Sequence, residues 1–169
     1  MKTIFLLPLF MFFIMACSRN EEPKNESVSI STNIDLLIKD VSGQDLLNAS
    51  TPNTLNTNNI KLFYLVNGQP QEVYNPNLSY PRNYFIFDYS LYNSNAIRVF
   101  PNDKSSDEFP ITYIRWNESD TDTIKCHYLK GSSGAGSYIV CDKVWYNGIL
   151  KYSSTENIGE PGRVIKIVK

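Results

Sequence analysis

An alternation of apolar and polar residues, beginning at Val28, is the feature that most constrains the fold. Between Val28 and Ile38 the even positions are apolar apart from Thr32, and most odd positions are polar. Because successive side chains of a strand point to opposite faces, this period of two predicts a strand with one buried face. Asp40 and Gly43 follow and predict a turn, since aspartate accepts local backbone hydrogen bonds and glycine tolerates a positive φ.

The rest of the chain repeats this pattern of short strand and turn. Asn-Gly pairs at 67–68 and 147–148 each predict a tight hairpin. The further strands predicted are 60–66, 69–74, 84–89, 96–100, 111–116, 121–128, 138–146, 149–153 and 164–168. Helical periodicity with caps is not found in any window. The sequence therefore predicts an all-β, antiparallel β-sandwich of about seven to nine strands.

Composition agrees with this fold and limits the partners. The chain has 11 Tyr and 18 Asn residues, which are typical of strands and turns rather than helices. Its 16 Lys and Arg residues nearly balance 17 Asp and Glu residues and form no basic stripe. We therefore expect no nucleic-acid partner.

The N-terminus predicts export and a lipid anchor. The apolar run over residues 4–15 is 12 residues long, whereas a membrane-spanning helix needs about 20, so it fits a signal-peptide core. It ends in Ile14-Met15-Ala16-Cys17, which resembles the lipobox of bacterial lipoproteins. The resemblance implies that residues 1–16 are removed and that Cys17 is acylated, which makes the membrane a partner. A simple secretory signal is the alternative.

The segments that follow predict a tether and one domain. Residues 17–27 are polar and predict a flexible linker, and residues 28–169 have the size of a single domain. The Glu21-Glu22 pair resembles the export signal of Bacteroidetes surface lipoproteins, which implies an outer-membrane protein facing the exterior, with the periplasmic face as the alternative. The strand and turn over residues 39–47 resemble the first hairpin of prealbumin-like and immunoglobulin-like sandwiches. As a whole the chain is similar to small Bacteroidetes surface lipoproteins, many without an assigned activity.

Two further cysteines flank the turn predicted at residues 130–136. If Cys126 faces Cys141, the same register places Lys125 opposite Asp142, a favourable cross-strand pair. The compartment outside the inner membrane permits a disulfide. The sequence therefore predicts a bond between these cysteines, with two buried free thiols as the alternative. We expect no metal site and no cofactor, because two cysteines and one histidine fall short of a closed zinc shell.

Catalytic patterns are not found. His127, the single histidine, would have to serve any Ser-His-Asp or Cys-His arrangement. The glycine-rich stretch at 131–136 has neither Gly-x-Ser-x-Gly spacing nor the ending of a phosphate-binding loop. We therefore expect that the protein is not an enzyme. Asp122-Thr123-Ile124 resembles the O-glycosylation acceptor of Bacteroidetes, which makes Thr123 a candidate for modification.

The favoured functional hypothesis is a non-catalytic binding module, most plausibly for a glycan. Aromatic faces stack on the apolar faces of sugars, and amides bond to hydroxyls. The candidate ligand-binding residues are Tyr74, Tyr80, Tyr84, Tyr92 and Trp116. The alternative is a structural or protein-interaction accessory subunit of a surface complex or fimbria-like assembly, since sandwich edges accept strands. A third hypothesis is a protease inhibitor that presents residues 129–137.

Overall fold

The structure is a computed structural model that describes residues 27–133 and 136–169. The strands in chain order are β1 (Ser27–Ser31), β2 (Ile34–Lys39), β3 (Lys61–Val66), β4 (Gln69–Glu72), β5 (Tyr84–Tyr89), β6 (Ser94–Val99), β7 (Ile111–Asn117), β8 (Asp120–Ser133), β9 (Gly136–Tyr146), β10 (Ile149–Ser153) and β11 (Val164–Val168). Short 3₁₀ turns cover Thr57–Asn59 and Ser90–Tyr92. Within the part of the chain that the structure describes, no helix is long and apolar enough to cross a bilayer.

Two sheets pack together, which confirms the predicted β-sandwich. The first sheet has the order β1-β9-β8-β7-β3-β4, and β10 also pairs with β9. The second has the order β11-β2-β6-β5. Two neighbouring pairs are parallel, β1 with β9 and β11 with β2. The sheets are therefore mixed rather than wholly antiparallel, and the described strands number eleven rather than seven to nine.

The continuous first strand predicted over 28–38 is wrong. The chain bends at Thr32 and Asn33 and passes from the first sheet into the second. The Arg163 guanidinium holds this bend, because its Nε donates to the Asn33 carbonyl at 2.7 Å and its Nη2 donates to Ser31 Oγ at 2.9 Å. The alternation of apolar residues continues through the bend, so periodicity alone does not reveal it.

The turns predicted at 40–43, 67–68 and 147–148 are confirmed. Asn67 and Gly68 have φ of +50° and +76°, and Asn147 and Gly148 have +48° and +79°. Positive φ at both central residues is the geometry that tight hairpins between twisted strands require. The Asp40 side chain closes the first turn by accepting backbone hydrogen bonds, as expected.

The glycine-rich stretch predicted as a loop is largely strand, because β8 continues to Ser133 and β9 begins at Gly136. Gly131 pairs with Tyr138 across this hairpin. A Cβ at Gly131 would lie 2.6 Å from the Tyr138 hydroxyl. Glycine therefore leaves space for the tyrosine ring and allows pairing to continue.

The second sheet is buried on both faces near its centre. Its inner face adds Ile34, Leu36 and Ile97 to the main core between the sheets. Its outer face carries a separate apolar cluster that includes Leu37 and Ala96. Strand β2 is accordingly buried along nearly all its length, which is why its outward residues are not solvated.

A buried carboxylate joins the sheets. Asp122 Oδ2 accepts hydrogen bonds from Trp116 Nε1 and Tyr146 Oη, both at 2.6 Å, and Oδ1 accepts one from Asn147 Nδ2 at 2.6 Å. Lys169, which follows β11 in the other sheet, places its Nζ 2.7 Å from Oδ2. Burial raises the pKa of Asp122, but these hydrogen bonds outweigh burial and lower the pKa from 3.8 to about 2.

We predict that acid destabilises the fold through Asp122. Its pKa is lower in the folded chain than in the unfolded chain, so its stabilisation is complete above pH ~4 and disappears as the pH falls towards ~2. Asp122→Asn should lower the free energy of unfolding by about 2 kcal/mol at pH 7 and flatten its pH dependence between ~2 and ~4. Urea unfolding over this pH range measures both effects.

Asp88→Asn is the matched control, because Asp88 is exposed and makes no ion pair within the described residues. It should leave the free energy of unfolding within about 0.5 kcal/mol. Equal acid sensitivity of the Asp122→Asn variant and the unchanged chain would contradict the assignment.

Candidate functional site

The alternation of β5 divides its side chains between the two faces of the second sheet. Tyr84 and Ile86 pack on the main core. Phe87 and Tyr89 instead pack on the outer cluster, and Phe85 lies on that same outer face, one pleat away. A single strand thereby places three aromatic rings in line on the outside of the sandwich.

Tyr80 and Tyr92 extend this line at its two ends. The five side chains form what we call the aromatic row: Tyr80, Phe85, Phe87, Tyr89 and Tyr92. Successive ring centroids are 4.2, 5.7, 5.2 and 4.9 Å apart. The first pair is stacked at 22° and the last meets edge to face at 88°. These separations are those of direct ring contacts, so the row is a continuous aromatic surface.

The row rests on a buried apolar floor. Leu37, Ala96 and Val164 are each at most 2% exposed, and the rings from Phe87 onward pack over them. Tyr80, at the other end, is 44% exposed. The rings are therefore held in place from below while part of their surface faces solvent.

Arg98 contacts the middle of the row from the neighbouring strand β6. Its Nε and Nη2 each donate to an Asp35 carboxylate oxygen at 2.7 Å. Its guanidinium carbon is 5.1 Å from the centroid of the Phe87 ring and 5.8 Å from that of Phe85. The hydrogen bond to Asp35 raises the pKa of Arg98. The guanidinium is thus a neutralised support for the rings rather than a free cation.

A second ion pair lies at the Tyr92 end of the row. Lys166 Nζ lies 2.8 Å from Glu160 Oε1 and 5.2 Å from the centroid of the Tyr92 ring. The hydrogen bond with Lys166 lowers the pKa of Glu160, and burial raises the pKa of Tyr92. Both cations in contact with the row therefore have carboxylate partners, and the row presents mainly uncharged ring surface.

The residues proposed from sequence fall in different places. Tyr80 and Tyr92 are members of the row. Tyr84 points inward, and its hydroxyl lies 3.0 Å from the carbonyl oxygens of both Thr57 and Ile60. Tyr74 is 62% exposed and makes no ring contact with described residues. Trp116 is 1% exposed, because the alternation of β7 points it into the core, so it is not accessible to a ligand.

Sequence reasoning missed Phe85, Phe87 and Tyr89. The signal was present in the sequence, since these three aromatic residues occupy the alternate positions 85, 87 and 89. It favours a shared face, but the sequence does not tell whether that face is core or surface.

The disulfide predicted between Cys126 and Cys141 is not formed, and both residues are buried free thiols. The register that supported it is also wrong. Cys126 pairs with Val144, three residues beyond its predicted partner, and Cys141 pairs with Tyr128, two residues beyond its predicted partner. The prediction centred the hairpin one residue too early, since Ser133 pairs with Gly136, and it overlooked the β-bulge between His127 and Tyr128.

The thiols share an apolar environment. Cys141 Sγ donates to the Lys143 carbonyl at 3.5 Å. The hydrogen bond with the Cys126 thiol and burial raise the pKa of Cys141, and burial raises the pKa of the neighbouring Tyr128 hydroxyl. The Cys141 thiol is therefore protonated, and both buried thiols are structural. The segment proposed for protease inhibition, 129–137, has no disulfide brace.

The histidine forms a pair with a buried carboxylate. His127 Nδ1 and Asp142 Oδ1 are 2.6 Å apart, and the imidazole lies 5.4 Å from the Phe109 ring centroid. Among the described residues, no serine or cysteine side chain completes this pair into a nucleophilic triad, and no group of three His, Cys, Asp or Glu residues could hold a metal ion.

The sequence predicts two modification sites, Cys17 and Thr123. Cys17 lies outside the described residues. Thr123 is half-buried on β8, on the outer face of the first sheet, where it pairs with Tyr113. Its orientation is compatible with the proposed O-glycosylation.

Comparison with protein-family models, with curated proteins and with solved structures finds no match for this chain.

We predict that neither Cys126 nor Cys141 reacts with an alkylating reagent in the folded domain, and that both react after denaturation without reductant. Both sulfurs are buried, and burial keeps the reagent from reaching them. Intact mass spectrometry of residues 27–169, which exclude Cys17, counts the labels. A denatured domain that gains no label would reveal a disulfide and contradict this description.

Proposed function

We propose that this protein is a non-catalytic binding module that holds a glycan on the aromatic row. Acylation of Cys17 would tether it to the outer membrane, facing the cell exterior, with the linker giving the domain reach. The proposal rests on one observation, the five contacting rings on the outer face of the second sheet.

The chemistry of the row favours a sugar. A pyranose ring has apolar C–H faces and a rim of hydroxyls, so it stacks on an aromatic face while its hydroxyls remain in water. The rings are held in place before a ligand arrives, which reduces the entropy lost on binding. A line of rings also matches a linear oligosaccharide better than a single compact ligand.

A second candidate, an accessory subunit of a surface assembly, is favoured by a different observation. Val28 and Ile30 are each 60% exposed on β1, which ends the order of the first sheet. An apolar edge strand is a suitable template for a strand from a partner. A chain that self-associates and binds no glycan would favour this candidate.

We predict that the chain is retained by a defined polysaccharide or mucin-type glycan, and that the row is required. Tyr80→Ala and Phe85→Leu should each weaken binding about tenfold, because each removes a ring face while leaving the floor of the row intact. Affinity electrophoresis or pull-down on a glycan panel measures this.

Tyr74→Ala is the matched control. It removes an exposed tyrosine outside the row and should change affinity less than twofold. Circular dichroism should establish that each variant is folded. Equal losses in Tyr74→Ala and Tyr80→Ala, or no retention of the folded chain on any glycan, would refute the proposal.

A further inference from the structure

Arg115 differs from the other described arginines in having no oxygen partner. Within residues 27–133 and 136–169, the other three arginines all donate to protein oxygen atoms: Arg82, Arg98 and Arg163. Arg115 instead lies with its guanidinium carbon 4.4 Å from the centroid of the Phe63 ring. Stacking orients the guanidinium plane but uses none of its N–H donors. Arg115 is therefore oriented and still able to bind an acceptor.

Arg115 lines two cavities at the surface of the first sheet. The larger, of about 510 Å³, is lined by polar and charged residues: Asn58, Asn59, Lys61, Arg115, Asn117 and Glu118. The smaller, of about 250 Å³, is lined by Arg115 and mainly apolar neighbours, including Phe63 and Tyr113. The larger cavity has the volume of a small-molecule site.

Hydrogen bonds to backbone carbonyls fix one side of the larger cavity. Arg82 Nη1 donates to the Asn58 carbonyl at 2.7 Å. The Tyr84 hydroxyl lies 3.0 Å from the carbonyls of both Thr57 and Ile60. These contacts use backbone groups, so the amide side chains of Asn58 and Asn59 remain exposed at the cavity. The site is built before any ligand arrives.

We propose that this Arg115 site binds an acidic sugar, a pyranose that carries one carboxylate. The carboxylate would pair with the Arg115 guanidinium in the bidentate geometry that this side chain favours. The asparagine amides can bond to ring hydroxyls as donors or acceptors.

The remaining charges select the class of ligand. Lys61 is already paired with Glu72 at 3.0 Å, so Arg115 supplies the available positive charge. Glu118 accepts hydrogen bonds only and repels further negative charge. A ligand must therefore bring hydroxyl donors to Glu118 and no more than one negative charge. A uronic acid satisfies both conditions, whereas sulfate and acetate do not.

The test is calorimetric titration of the full chain with glucuronate, glucose, acetate and sulfate. Glucuronate should bind at least tenfold more tightly than the other three. Arg115→Gln should weaken glucuronate binding at least tenfold, because a charge-assisted bidentate contact is lost. Asn59→Asp, an exposed change that adds a negative charge at the rim, should weaken it similarly.

Lys125→Gln is the matched control. Lys125 also stacks on an aromatic ring, 4.6 Å from the Trp145 centroid, and lies outside both cavities, so its loss should change affinity less than twofold. Tyr80→Ala should have no effect, which separates this site from the aromatic row. Unchanged binding in Arg115→Gln, or acetate or sulfate binding as tightly as glucuronate, would overturn the inference.

Discussion

The two sheets are joined by a shared apolar core and, at one edge, by the buried carboxylate of Asp122. An unpaired carboxylate in such a position would cost several kcal/mol, so its donors must stay in place. Trp116 and Tyr146 reach it from the first sheet, and Lys169 reaches it from the end of the second. Satisfying one group therefore aligns strands that are distant in sequence.

Local signals predicted most of the fold, and long-range contacts decided the rest. The alternation of 84–89 and the Asn-Gly turns depend on neighbouring residues only, so the strands and hairpins around them were found correctly. The bend at Thr32 depends on Arg163, which lies 130 residues beyond the Asn33 carbonyl that it binds. The disulfide prediction was wrong because it centred the hairpin of β8 and β9 one residue too early. Ser133 pairs with Gly136, and the bulge adds one further residue of offset, so Cys126 and Cys141 are not cross-strand partners.

The candidate sites were only partly visible in the sequence. Tyr80 and Tyr92 were identified by composition, but their grouping with Phe85 depends on which face of β5 is covered by the other sheet. The same uncertainty made Trp116 look accessible. The Arg115 site left no sequence signal, since its distinguishing property is the missing oxygen partner of a guanidinium, and pairing depends on neighbours that only the fold brings together.

The most direct test of the central claim is proton NMR of an oligosaccharide that the chain retains. If the sugar stacks on the aromatic row, its C–H protons should shift upfield through ring currents and receive saturation from the rings of Tyr80 and Phe85. Substituting Phe85 by leucine should remove both effects at that part of the sugar. A bound oligosaccharide with no ring-current shift, or with contacts confined to the surface around Arg115, would contradict the account.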